Sequence, residues 1–292
     1  MIRVAILGPE GTVSEESAQY FLSGLDVELI PYRVISDVFS ATVEGRTDYS
    51  VIPIENTIEG SVNLHMDWLI HEVDLPIQAE WVYPPRQNLI GYAVRKPDGE
   101  PDLSAIRKVM SHHVAIAQCS QYLKTKLPHV ELESVSSTAE GVRLVKSLGK
   151  SGFAAIGTEL AARRYGLDVL AKDIQDHANN FTRFLLIGRE KIEVRPTTSY
   201  KTSFQITLPE DYPGALHQVL SAFAWRRINL TRIESRPTRK KLGSYYFLID
   251  IEGSLDSVLI PAAVAEIEAI GCQVRILGSY PSYSYETFHS EV

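Results

Sequence analysis

The stretch "NNFTRFLLIG", Asn179 to Gly188, sets a hydroxyl and a guanidinium, Thr182 and Arg183, at the mouth of an apolar run that reads as a strand. Such a pair is either a strand edge dissolved in water or the rim of a pocket for an anion. Other stretches have the same character. "VIPIENTIEGSV" places Glu55, Asn56, Thr57, Glu59 and Ser61 directly after a buried strand. In parallel α/β lobes ligands gather outside the carboxyl ends of strands, although an Asx turn capping the next helix would use the same residues. "SHHVAIAQC" leaves a strand through Ser111 and His112 and enters a helix bearing Gln118. Adjacent histidines cannot both face one ion without a special loop, and no third ligand follows at regular spacing, so no metal is expected. No G-x-S-x-G turn surrounds Ser111, which makes it a hydrogen-bonding serine rather than a nucleophile.

The turn "GPEGTVS", with Gly11, Thr12 and Ser14, opens a helix and either offers backbone N–H groups to an anion or is a plain tight turn. It has neither the Gly-Lys-Ser/Thr of a phosphate loop nor the spacing of a dinucleotide fingerprint. Asn56, Ser111, Gln118, Thr182 and Arg183 thus form a set of neutral donors with one cation and no cofactor signature. That set suits a small carboxylate whose own chemistry is nearly downhill and needs positioning and charge stabilisation.

The elements that must position these residues alternate. "RVAILG", "VELIPY" and "YSVIPIE" read as strands separated by the helices "SEESAQYFLSGL" and "SDVFSATVEG", with Ser14 and Ser36 as caps. After a proline-rich break near "EVDLPIQAEWVYPP", the pattern resumes from "KVMSH" to "VLAKDI" as a second α/β lobe. "TRFLLIGRE" could return to either lobe, and a cleft is expected between the two. A linker, 191–199, carries Pro196 and a run of hydroxyl residues. Residues 200–281 then write a βαββαβ order, the ferredoxin-like arrangement of an antiparallel sheet with both helices on one face. Residues 282–292 have no core pattern and read as a tail.

Composition narrows the function classes. A 292-residue chain that is 45% hydrophobic and 22% charged is ordinary for a globular protein of about two domains. Its net charge of −7 supplies no overall field for nucleic acid, and Arg236, Arg239, Lys240 and Lys241 read as a solvated basic turn. No run of eighteen apolar residues suggests a membrane partner, and Cys119 and Cys272 lack ligand spacing, which fits reduced thiols in a cytoplasmic protein.

Seven motifs in order, "GPEGTVS", "PIENTIEGSV", "SHHVAIAQC", "SSTAEG", "AAIG", "DHANNFTRF" and the pair "PGALHQVL" and "NLTRIESRP", resemble the monofunctional prephenate dehydratases with a carboxyl-terminal ACT domain. The resemblance covers nearly the whole chain. It implies a two-lobed, type II periplasmic-binding-protein-like catalytic domain over 1–190, followed by a regulatory ACT domain over 200–281. It implies the decarboxylative dehydration of prephenate to phenylpyruvate in phenylalanine biosynthesis, with no cofactor. Thr182 is the residue of the motif most tied to activity, with Arg183 as carboxylate partner and Asn56, Ser111 and Gln118 fixing orientation. Gly11, Thr12, Ser14, Glu55, Thr57, Ser137, Thr138 and Phe184 are expected to line the substrate site. Gly214, Ala215, Leu216, Asn229, Glu234 and Ser235 are expected to hold phenylalanine, a feedback effector, where ACT domains pair in a dimer or tetramer. Val13, His113 and Val114 depart from the family pattern in the pocket wall, without removing any of these polar groups. Arogenate dehydration, and a sensor that binds without reacting, are the alternatives.

Overall fold

A computed structural model of the chain describes residues 1–210, 212–239 and 244–285. Its contacts divide it into two compact units, Met1–His65 with Val82–Phe184, and Met66–Trp81 with Leu185–Val292.

The first unit contains two α/β lobes. In the first lobe β1 (Ile2–Leu7), α1 (Val13–Phe21), β2 (Val27–Tyr32), α2 (Ile35–Val43) and β3 (Tyr49–Asn56) alternate as expected, and β1 pairs in parallel with β2 and β3. Val4, Ile6, Phe21, Val38, Phe39 and Ile52 are buried between strands and helices. Both helices start one residue before the expected serines. Thr12 caps α1 by accepting the Glu15 N–H, so Ser14 lies inside the first turn, and α2 follows Val34 with no side-chain cap, which leaves Ser36 helical. Gly11 explains the tight turn before α1. Its φ is +85°, and a Cβ there would stand 2.8 Å from Ala161 Cα.

A short strand, β4 (Gly60–Ser61), folds back on the end of β3, and α3 (Asn63–Asp67) carries the chain out of the unit. It returns through the end of β5 (Ile77–Tyr83) into the second lobe. There β6 (Asn88–Gly91), β7 (Lys108–Ser111), α4 (His113–Gln118), α5 (Ser120–Lys126), β8 (Glu131–Ser134), α6 (Thr138–Leu148), β9 (Phe153–Gly157), α7 (Glu159–Tyr165) and β10 (Asp168–Ala171) follow in order. The sheet order is β10-β6-β9-β7-β8. β7 runs parallel to β8 and β9, whereas β6 is antiparallel to β9 and β10, so the sheet is mixed rather than purely parallel. β11 (Thr182–Gly188) then returns to the first lobe, beside β3.

In the second unit β12 (Tyr200–Thr207), α8 (Ala215–Ala224), β13 (Leu230–Pro237), β14 (Tyr245–Glu252), α9 (Leu259–Ala269) and β15 (Gln273–Tyr283) give the ferredoxin-like order β13-β14-β12-β15, antiparallel throughout. Phe204, Val219, Phe223, Ile249, Ile260 and Ile267 join the sheet to both helices in one core. Met66–Trp81 groups with this unit although sequence alone joins it to 1–190. The cause is tertiary: β5 pairs with the end of β15, and the Arg275 guanidinium donates to the carbonyls of Ile70, at 3.0 Å, and Val73, at 2.7 Å. β15 also runs past residue 281, to a buried Tyr283. Of the basic cluster, Arg236 and Arg239 are not simply solvated, since both pair with Asp67, while Lys240 and Lys241 lie outside the described residues.

Candidate functional site

A cleft of about 1120 Å³ opens in the first unit, walled by residues from both lobes. Its polar floor is built from the carboxyl end of β3. The Asn56 side chain turns back on its own chain, where Oδ1 accepts the N–H groups of Ile58, at 2.9 Å, and Glu59, at 3.1 Å. This Asx turn fixes the amide and points Nδ2 across to the segment before β11. There Nδ2 donates to Asn180 Oδ1 at 2.7 Å, Thr182 Oγ1 at 3.0 Å and the Phe181 carbonyl at 3.2 Å. Asn180 in turn donates to Gln118 Oε1 at 3.0 Å. Asn56, Asn180, Thr182 and Gln118 all line the cleft, so this hydrogen-bonded set faces whatever binds there.

The other expected residues separate into those at the wall and those behind it. Thr12, Ser14, Ser137, Thr138 and Phe184 line the cleft, as do the departing positions Val13 and Val114, but His113 does not. Arg183 does not line it either. Strand alternation turns Thr182 and Phe184 toward the cleft and Arg183 the other way, where its buried guanidinium stands 3.4 Å from Glu55. Ser111 is buried and donates to the Ile156 carbonyl at 2.8 Å, a bond that ties β7 to β9. Thr57 sits behind the floor, accepting the Phe181 N–H at 2.9 Å and donating to the Asn179 carbonyl at 2.8 Å. Gly11 cannot serve an anion, because its N–H donates to Glu15 Oε2 at 2.6 Å and its carbonyl accepts the Thr158 hydroxyl at 2.9 Å. Glu15, buried, also pairs with Arg164 of α7, so this turn joins the lobes rather than holding a ligand.

Two guanidiniums do reach the wall, Arg33 and Arg143. Arg143 forks onto Glu140 with two bonds of 2.7 Å. That pair, with weaker help from Arg33, holds the Glu140 carboxyl below its ordinary range against the opposing effect of burial. Arg33 follows the carboxyl end of β2, a place the strand-end rule could have flagged; Asn180 and Arg143 carry no comparable local signal. His112, also at the wall, is held below its ordinary value by burial and by the neighbouring His113. Cys119 is inert as a thiolate, because burial pushes its thiol up to about 12. Among the described residues no three His, Cys, Asp or Glu side chains are grouped to hold a metal ion.

In the second unit Gly214 starts α8 with φ +94°, and Ala215 and Leu216 form its first turn. Asn229 precedes β13, and its carbonyl accepts the Glu252 N–H at 3.0 Å. Glu234 and Ser235 lie within β13, with Glu234 held by Arg232 at 2.5 Å and Arg236 at 3.3 Å.

The prephenate dehydratase family model matches residues 4–192, and the ACT domain model matches residues 202–269. The chain belongs to the prephenate dehydratase family. The prephenate dehydratase of Bacillus subtilis is 40% identical over 289 residues, 97% of this chain and 99% of that protein. A chloroplastic protein of Arabidopsis thaliana named arogenate dehydratase/prephenate dehydratase 2 is 36% identical over 96% of this chain and 73% of its own length. The crystal structure of prephenate dehydratase from Arthrobacter aurescens in complex with L-Phe superimposes with a TM-score of 0.84 at 34% identity, over 96% of this chain and 90% of that one. No helix among the described residues is long and apolar enough to cross a membrane.

Proposed function

We propose that the cleft of the first unit converts prephenate to phenylpyruvate. The ring carboxylate leaves as carbon dioxide, its bonding electron pair enters the ring, and the C4–O bond breaks as the ring becomes aromatic. The departing hydroxide takes up a proton, so prephenate dianion plus one proton gives phenylpyruvate, carbon dioxide and water. Aromatisation supplies the driving force, and the protein must hold the dianion and stabilise the departing oxygen.

One observation carries this reading. Thr182 Oγ1 already accepts a hydrogen bond from Asn56 Nδ2, so its own proton is available to a ligand in the cleft. A threonine hydroxyl is too weak an acid to surrender that proton, but as a fixed donor it stabilises charge building on the leaving oxygen. Arg33 and Arg143, both at the cleft wall, are the guanidiniums proposed to meet the carboxylates, the role the resemblance gives to Arg183. The test is to mix the protein with prephenate and follow phenylpyruvate by its absorbance in alkali. Binding without turnover would make the cleft a carboxylate sensor.

Arogenate is the second substrate to test, since the Arabidopsis relative is named for both. Competition between the two substrates decides. The ACT domain, by its likeness to the L-Phe complex, is proposed to bind phenylalanine through Gly214–Leu216, Asn229, Glu234 and Ser235 at a junction between subunits of a dimer or tetramer in the cytoplasm. Binding is expected to lower turnover, with a coupling of about 1–3 kcal/mol. Phenylalanine that binds and leaves the rate unchanged would make the domain a dimerisation module only.

A further inference from the structure

Asn180 is 2% exposed and is given no role by the resemblance, yet its side chain joins Asn56 to Gln118 across the cleft floor. The oxygen and nitrogen of an amide side chain are alike in shape, so only hydrogen bonds decide which atom faces where. Here the decision starts at the backbone. The N–H groups of Ile58 and Glu59 can only donate, so the Asn56 atom they meet is Oδ1 and the atom facing Asn180 is Nδ2. Asn180 must answer with Oδ1, which turns its Nδ2 toward Gln118. Gln118 must answer with Oε1, which leaves Nε2 as its remaining polar atom, with no acceptor among the described residues.

We infer that Asn180 is a positioning residue, which passes the polarity set by two backbone amides on to Gln118. Through this network the floor of the cleft presents the Thr182 hydroxyl and the Gln118 amide as donors to a ligand rich in oxygen acceptors. The relay rests on the dehydratase reading of the cleft for its consequence, but its geometry can be tested apart from turnover.

Asn180→Asp is the informative substitution. An ionised aspartate still accepts from Asn56 but has no hydrogen for Gln118. Gln118 then turns to donate Nε2 to Asp, and the ligand meets Oε1 where it had met a donor. A protonated aspartate donates its O–H to Gln118 Oε1 and restores the native order. The expected result is a loss of roughly 10²–10³-fold in kcat at neutral pH, the effect of one preorganised donor, recovered progressively as pH falls through the titration of the new carboxyl. Wild type, measured first on prephenate, lacks that recovery. A variant whose pH profile runs parallel to wild type overturns the relay. If Asn180→Asp does not fold, the cycle of Asn180→Ala, Gln118→Ala and the pair decides: a double loss no larger than that of Gln118→Ala alone supports the relay, and additive losses overturn it. Neutron diffraction from wild-type crystals needs no substrate. Deuterium on the cleft-facing atom of Gln118 supports the inference, and deuterium between Gln118 and Asn180 that belongs to Gln118 overturns it. A wild-type protein inert to prephenate would sink the dehydratase reading alone.

Discussion

Thr182→Val removes one hydroxyl and keeps the volume and β-branching that suit the first residue of β11. In the folded protein the Asn56 amide loses one acceptor but keeps Asn180 Oδ1 at 2.7 Å and the Phe181 carbonyl at 3.2 Å, so no polar group is orphaned. The stability cost is therefore about 1 kcal/mol, that of an ordinary hydrogen bond. In the transition state the loss is larger, because a fixed donor aimed at developing charge contributes about 2.7–4 kcal/mol, or roughly 10²–10³ in kcat. The substrate hydroxyl gains charge only as it leaves, so the loss should fall on kcat and leave KM nearly unchanged. Initial rates of phenylpyruvate formation across a range of prephenate concentrations separate the two, with thermal unfolding as the control for folding. Thr182→Ser, which keeps the hydroxyl, should retain most of the rate. A valine variant with wild-type kcat, or one altered only in KM, would refute the role given to this hydroxyl.

Arg33→Gln should raise KM for prephenate roughly 10–100-fold with kcat largely kept, since a charge-assisted bond contributes about 1.5–3 kcal/mol to binding, and steady-state kinetics would show it. Gly11→Ala should destabilise the protein by about 2–5 kcal/mol in urea unfolding, combining left-handed backbone strain with a Cβ pressed 2.8 Å from the Ala161 backbone. His65 is buried with Nδ1 2.6 Å from the Pro53 carbonyl, and burial outweighs that bond to hold its pKa below the ordinary value. The unfolded chain then binds the extra proton more readily than the folded one, so stability is full above about pH 6.5 and falls as pH drops from there toward the depressed folded value. His65→Gln should flatten that part of the stability profile, read as unfolding midpoints against pH.

Much of the fold was legible because each local pattern had a single physical reading. Apolar runs such as "VAIL" and "FAAIG" were short and bounded by turns, and the βαββαβ order of the second unit left few alternatives. Helix starts were read less well: Thr12 and Ser14 are both capping residues, and only geometry chose Thr12. In the site, Asn56 and Thr182 stand at strand ends in the sequence pattern, and both line the cleft. Arg183 does not line the cleft beside them, as the period of two in "TRF" dictates by putting Thr182 and Phe184 on one face and Arg183 on the other. Asn180 was missed for a different reason. Its partners, Asn56 and Gln118, lie 124 and 62 residues away, and no local pattern announces a bond across such distances. The membership of Met66–Trp81 in the second unit rests on contacts just as distant in sequence.

Where the substrate sits decides the role of every residue at the cleft. A crystal structure of the protein with a stable dicarboxylate analogue of prephenate should show ligand oxygens within hydrogen-bond distance of Thr182 Oγ1 and Gln118 Nε2, with a carboxylate on Arg33 or Arg143. An analogue bound outside the cleft, or held by Arg183 with Thr182 and Gln118 untouched, would contradict it.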